Sequence, residues 1–159
     1  GLMATPQDIA VIRADPRQPE NSALIELLDN YMLALYPVES THRIDLTTLA
    51  SETARFYSAL LNTTVVGCGG ILLASDYAEI KRIFVSPQAR GFGIGRRLLT
   101  ALETEAQSLG FDLLRLETGI YQPEALALFD AVGFTTCSSF GDYPPDDPNS
   151  IFMEKRVGT

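Results

Sequence analysis

The sequence holds a single histidine and two cysteines among 159 residues. One histidine cannot furnish a His-rich zinc site, and no metal is expected. Two cysteines are too few for a disulfide framework. Cys68 and Cys137 both fall in strand-like surroundings, which reads as buried, reduced thiols in a cytoplasmic protein. No run of about eighteen apolar residues occurs, so no membrane-spanning segment is expected. The first residues lack a basic stretch leading into an apolar one, so no secretory leader is expected. Basic side chains are scarce as well: 12 Lys and Arg against 20 Asp and Glu give a net charge of −8. With no basic face to neutralise phosphates, nucleic acid is not an expected partner. The acidity is compatible with an amine-bearing substrate, but solubility explains it equally well.

What is present describes one globular domain. Apolar residues make up 46% and charged residues 20% of the chain, both ordinary values. The length suits a single core spanning residues 1–159, with 1–6 and 158–159 as flexible ends, in a monomer or homodimer. Residues 8–14 alternate apolar and polar as a strand does. Asn21-Ser22 can cap a helix running to Tyr36, which Pro37 ends. A short helix over 46–51 leads into a hairpin, 55–61 and 64–73, around Asn62-Thr63. Gly67, Gly69 and Gly70 mark a close approach or a bulge in its second strand. A strand over 77–85, a helix to Leu109, a strand over 112–117 and a helix over 123–132 follow. Strands from Phe134 and over 150–157 flank a loop rich in proline and acids. This order builds an α/β domain, a mixed sheet with helices on both faces.

The most informative stretch is Ile83-Phe84-Val85-Ser86-Pro87-Gln88-Ala89-Arg90-Gly91-Phe92-Gly93-Ile94-Gly95-Arg96-Arg97. A strand runs through an arginine and alternating glycines into a helix. Such a turn leaves backbone N–H groups unpaired at a helix N-terminus, where the dipole also favours an anion. Glycines let a ligand approach the backbone, and arginines add charge-assisted bonds. No lysine follows the glycines, so the turn is not a nucleoside-triphosphate loop. A dinucleotide fold wants G-x-G-x-x-G directly after the strand. Here the spacing is G-x-G-x-G, and five residues separate Val85 from Gly91, although Glu117 ends the next strand as that fold would require.

The segment from Val85 to Gly95 resembles the acyl-CoA pyrophosphate loop of the GNAT superfamily of N-acyltransferases. The signature [QR]-x-x-G-x-[GA] matches at Arg90, Gly93 and Gly95. Downstream, Gln122-Pro123-Glu124-Ala125-Leu126-Ala127-Leu128-Phe129-Asp130-Ala131-Val132-Gly133-Phe134 is similar to the family's N-x-x-A-x-x-L-Y-x-x-x-G-F. The resemblance implies a mostly antiparallel sheet of about seven strands whose two central parallel strands splay apart around the thioester. It implies acetyl-CoA as acyl donor, a small-molecule or peptide amine as acceptor, and direct attack of the amine. It places Ile83, Phe84, Val85, Arg90, Gly91, Phe92, Gly93, Ile94, Gly95, Arg96, Gln122 and Phe129 against the cofactor.

Acyl transfer needs a polarised carbonyl, a neutral amine and a leaving thiolate. An alkyl ammonium ionises near about 10.4, so a base is required at neutral pH. Glu79 is the first candidate, expected by period-two alternation on the same strand face as Ile83 and Val85; it could equally just pair with Lys81 or Arg82. Glu117, ending the neighbouring strand, is a second candidate and a candidate substrate contact. The chain departs from the family at Leu128-Phe129, where many members carry Leu-Tyr with the phenol as proton donor. Phe129 has no proton to give, which leaves Tyr121 and Tyr143 as substitutes. Gln122 stands where Asn is common. His42 and Arg43 fall in a loop that, by resemblance, covers the acceptor. A CoA-binding sensor without catalysis, and a dinucleotide-binding protein, are the alternative readings.

Overall fold

The computed structural model describes residues 8–41 and 44–158. The expectations for His42, Arg43 and residues 1–6 and 159 lie outside the described residues. Gly158, expected at a loose end, has its carbonyl accepting a hydrogen bond from Gln107 Nε2 at 2.7 Å.

The chain runs β1 (Ile9–Arg13), α1 (Pro19–Leu35), α2 (Leu46–Leu49), β2 (Ala54–Leu61), β3 (Thr64–Leu73), β4 (Ala78–Val85), α3 (Ile94–Ser108), β5 (Leu113–Gly119), α4 (Pro123–Ala131), β6 (Thr135–Cys137) and β7 (Ser150–Arg156). Helix α1 starts two residues before the expected cap, at a proline in its first turn. Asn21 is buried instead, accepting from Ser58 Oγ at 2.5 Å and donating to the Asp15 carbonyl at 2.8 Å. Gly110 and Gly133, with φ of 90° and 101°, end α3 and the α4 segment in the left-handed conformation that glycine adopts freely.

The seven strands form one sheet in the order β1-β2-β3-β4-β5-β7-β6, antiparallel except for the β4–β5 pair. Helices α1 and α2 cover one face, where Leu24, Ile25, Leu28 and Leu49 pack on Phe56, Cys68 and Phe84. Helices α3 and α4 cover the other, where Leu99, Leu102, Ala106 and Phe129 pack on Ile71, Ile80, Leu114 and Leu116. Among the described residues no helix is long and apolar enough to cross a membrane.

Two irregularities in β4 create the site. The parallel ladder to β5 holds only at Ala78↔Leu114 and Glu79↔Arg115, although both strands continue. Beyond it the strands part, as the resemblance implied. Opposite β3, Gly69 faces two residues of β4, Arg82 and Ile83, because the register shifts between Cys68↔Phe84 and Gly70↔Lys81. This is a β-bulge, and Arg82 sits in it at φ 57°. The extra residue inverts the alternation. Glu79 and Lys81 therefore share the α1 face, with Phe84, whereas Ile83 and Val85 turn to the α3 face. The expectation that Glu79 shares a face with Ile83 and Val85 is corrected by this one-residue shift.

Candidate active site

The gap between β4 and β5 opens into a cleft with two lobes. One lobe, with about 1220 Å³ of empty space counting the solvent at its open mouth, runs from the β4 bulge to the start of α3. Ile83, Phe84, Val85, Arg90, Gly91, Gly93, Ile94, Gly95, Arg96, Gln122 and Phe129 line it. These are the expected cofactor residues with one exception. Phe92 lies outside the lobe and is 42% exposed, because left-handed residues on both sides of it, Gly91 (φ 91°) and Gly93 (φ 74°), turn its side chain outward.

The start of α3 fits a pyrophosphate. Gly93 is its N-cap, and no side chain caps it. The first amides of the helix are thus available to an anion. The space a Cβ would fill at Gly91 or Gly93 holds no protein atom within 4 Å, and their positive φ disfavours any other residue. Gly95 serves differently: a Cβ there would lie 2.8 Å from Leu128 Cδ2, so it lets α4 close in on α3. Arg90 reaches across the mouth to Glu124, 3.4 Å away, an exposed pair that a phosphate can displace. Ser86 N–H donates to Val66 on β3 at 2.8 Å. By strand alternation the amides of Val85 and Ile83 point the opposite way, into the gap, where they can polarise a thioester carbonyl.

The second lobe lies on the α1 side. Leu28, Asp29 and Met32 of α1, Ser40, Thr41 and Ile44 of the following segment, Lys81 and Arg82 of β4, Glu117 of β5 and Tyr143 of the β6–β7 loop line it. Leu28, Ile83, Gln122, Ala125 and Phe129 line both lobes, so the two adjoin across a shared wall. Glu117 also accepts a hydrogen bond from Ser150 Oγ at 2.8 Å. Arg82, with a side chain 9% exposed, is tied through Nη1 to Asp29 and through Nη2 to the Ile44 carbonyl at 2.7 Å. Its Nε is buried with no hydrogen-bond partner among the described residues, and burial lowers the pKa of the guanidinium. These contacts hold the bulge against α1.

Glu79 lines neither lobe but lies just behind the second. It is buried, accepts the Tyr143 hydroxyl, and pairs with Lys81 Nζ at 3.0 Å. The pairing with Lys81 noted from sequence is therefore real, along one strand face and not across strands. Tyr143 is braced by Phe140 and Phe152, with ring centres 5.4 Å away in both cases. Burial and the adjacent Glu79 carboxylate push its ionisation well above that of an ordinary phenol, so it stays protonated. Tyr121 is corrected as a site candidate. It is 53% exposed, lines neither lobe, and lies 5.5 Å from the Tyr36 ring. The Tyr36 phenol occupies the inner side of this turn. It accepts the Tyr121 N–H at 2.9 Å and donates to Gln122 Oε1 at 3.3 Å. That bond fixes the carboxamide of Gln122, leaving its nitrogen as the donor for the cleft. Lys81, Arg82 and Asp29 of the second lobe, and Tyr31, which lines the first, are not site candidates in the sequence. The local signal was the Lys81-Arg82 pair beside Glu79; Asp29 and Tyr31 join only through the packing of α1.

Comparison with known proteins bears on the family and the fold. The model of the acetyltransferase (GNAT) family matches residues 21–134. A protein of Azospirillum brasilense named IAA acetyltransferase is 48% identical over 152 residues, covering 94% of this chain and 99% of that protein. The Bacillus subtilis N-acetyltransferase YsnE is 34% identical over 130 residues, covering 79% and 85%. A solved Klebsiella pneumoniae structure, described as an acyl-CoA N-acyltransferase, matches with TM-score 0.80 and 34% identity over 94% of this chain and 98% of that one. The PaiA N-acetyltransferase of Thermoplasma acidophilum, solved with coenzyme A, has the same fold, with TM-score 0.70 at 16% identity and coverage of 94% and 99%.

Proposed function

The chain belongs to the acetyltransferase (GNAT) family, and on that footing we propose that it acetylates a primary amine of a small molecule or peptide by direct attack within the shared cleft. Acetyl-CoA is the acyl donor. When bound, it supplies an activated acyl carbon and a thiol leaving group. The uncapped start of α3, with Arg90 and Arg96 beside it, holds the pyrophosphate. The amides of Ile83 and Val85 polarise the thioester carbonyl. The second lobe takes the acceptor, with Glu117 facing its nitrogen, and Tyr143 and Glu79 receive the proton that the nitrogen must lose.

The observation that carries this reading is the wall the two lobes share. The anion site at α3 borders one lobe, and Tyr143, which donates to the buried Glu79 carboxylate, lines the other. The test is incubation with acetyl-CoA and a panel of amines, following free thiol. Thiol release that depends on the amine is the expected result. One observation favours a second reading, a CoA-binding sensor: Phe129 stands where many members carry the phenol. Binding of acetyl-CoA without thiol release for any amine would establish that reading and overturn the first.

A further inference from the structure

We infer that Lys81 is a positioning residue whose ammonium group holds the Tyr143 hydroxyl and the Glu79 carboxylate together as one proton relay between the acceptor lobe and the sheet. The inference rests on the reading above that Tyr143 and Glu79 serve the acceptor amine.

Lys81 lies two residues after Glu79, ahead of the bulge, so both project from the same face of β4. Its Nζ is 3.0 Å from Glu79 Oε2, donates to Tyr143 Oη, and sits 4.8 Å from the centre of the Tyr143 ring. Tyr143 donates its own proton to the same Glu79 oxygen. The three groups thus close a triangle at one carboxylate oxygen. The lysine and glutamate side chains are only 14% and 8% exposed. A buried ion pair is poor value for stability, since apolar side chains of similar size often serve a fold as well. Position supplies a better reason. Tyr143 and Lys81 line the acceptor lobe and Glu79 does not. A proton travelling from the acceptor to the carboxylate must pass the phenol or the ammonium, and the ammonium carries no lone pair to accept it.

The step balances as follows. The acceptor enters as an ammonium ion. One of its protons passes to Tyr143 Oη as the hydroxyl proton of Tyr143 passes to Glu79 Oε2, which frees the nitrogen lone pair. The nitrogen then bonds to the acyl carbon, the C–S bond breaks, the sulfur leaves with its electron pair, and the remaining surplus proton on nitrogen passes through solvent to the sulfur. Once the products have left, Glu79 gives its proton back through Tyr143 to solvent, and the phenol is neutral before and after. Lys81 orients the phenol toward both partners and balances the buried carboxylate. Glu117 and Tyr77 also face Tyr143, and Asp29 and Arg82 line the same lobe, so their charges bear on any pH profile.

The test uses the full chain with Lys81→Gln, Lys81→Arg and Tyr143→Phe. Lys81→Gln is expected to lower kcat by about 100-fold, a typical contribution of positioned proton transfer, and to change the pH profile. Acetyl-CoA affinity by calorimetry stays unchanged, and Lys81→Arg recovers much of the rate. A second readout needs no turnover: in the ligand-free protein the Tyr143 Cζ resonance, assigned by its loss in Tyr143→Phe, shifts in Lys81→Gln as it does in Glu79→Gln. An active wild type with unchanged kcat, pH profile and Tyr143 resonance in Lys81→Gln overturns this inference alone. A wild type that releases no thiol with any amine overturns the transferase reading instead.

Discussion

Replacing Gly119 by alanine puts a methyl group into space held by the Tyr36 phenol. A Cβ at this position would lie 1.9 Å from Tyr36 Oη and 2.2 Å from its Cζ, well inside van der Waals contact. The backbone itself raises no objection, because Gly119 is not among the residues with positive φ. At an unhindered site the substitution would stabilise by about 0.4–1 kcal/mol through the unfolded chain. The damage therefore comes from displacing Tyr36, which is 5% exposed and bonded to both Tyr121 N–H and Gln122 Oε1. Losing the packing of a large buried aromatic costs about 3–5 kcal/mol, and an unmade hydrogen bond about 1 kcal/mol. Allowing for partial relaxation, Gly119→Ala should destabilise by about 3 kcal/mol, about 6–12 °C in Tm at this chain length. Urea unfolding of the wild type, Gly119→Ala, Tyr36→Ala and the double variant reads this directly. With Tyr36 already truncated, Gly119→Ala should cost nothing or stabilise slightly. A single variant within about 0.5 kcal/mol of wild type, or strict additivity in the double variant, would refute the reasoning. Because Gln122 lines both lobes, the same variant should also raise the KM for acetyl-CoA.

Gly93→Glu places a carboxylate and a strained left-handed residue at the anion site; acetyl-CoA should then no longer raise Tm, whereas the wild type gains stability as ligand exceeds Kd. A wild-type shift in that variant removes the glycine turn from the site. Glu79→Gln should lower kcat near neutral pH, with the deficit narrowing as pH rises toward the ionisation of an alkyl ammonium, about 10.4, where the acceptor needs no base; a deficit constant with pH would exclude Glu79 as the proton's destination. Burial pushes the Cys68 thiol up to about 12, so it remains neutral and unreactive in the fold. At pH 8 a disulfide reagent should modify Cys137 slowly and Cys68 only after unfolding. Since an unfolded thiol ionises near about 8.5, the unfolded chain holds fewer protons above that pH. The Cys68 contribution to stability is thus complete below it and is lost as pH rises toward 12. Rapid labelling of both thiols in the folded protein would contradict the burial.

Local pattern in the sequence was enough for the elements, their order and the glycine turn, because capping, turn chemistry and apolar periodicity are local properties. Asn62 at φ 57°, Gly110 and Gly133 all stand where the chain punctuation put them. The β4 bulge was not legible at its own residue. A left-handed position normally announces itself as glycine, and here Arg82 occupies it, held by Asp29, 53 residues earlier, and by the Ile44 carbonyl. The glycines of β3 did hint at a bulge, and one of them, Gly69, faces it. Without that one-residue shift, period-two alternation puts Glu79 on the face of Ile83 and Val85; with it, Glu79 lies on the α1 face. Tyr121 and Tyr143 looked equivalent as phenols. Only the tertiary fold separates them, turning one outward against Tyr36 and inserting the other between Lys81 and Glu79, 62 and 64 residues away.

Under the proposed assignment of the lobes, the wall they share would make donor and acceptor choice a single trait. Leu28, Ile83, Gln122, Ala125 and Phe129 border both, so the bound donor would form part of the container that receives the amine. Donor-first compulsory order is then the expected outcome, and product-inhibition patterns test it: free CoA should compete with acetyl-CoA alone. The acyl chain also acts as a ruler. Each added methylene extends into volume the acceptor needs, so longer donors should demand smaller amines. A bulkier residue at Ala125 would then shift both preferences at once, and a variant that moved one without the other would show the lobes to be separate rooms.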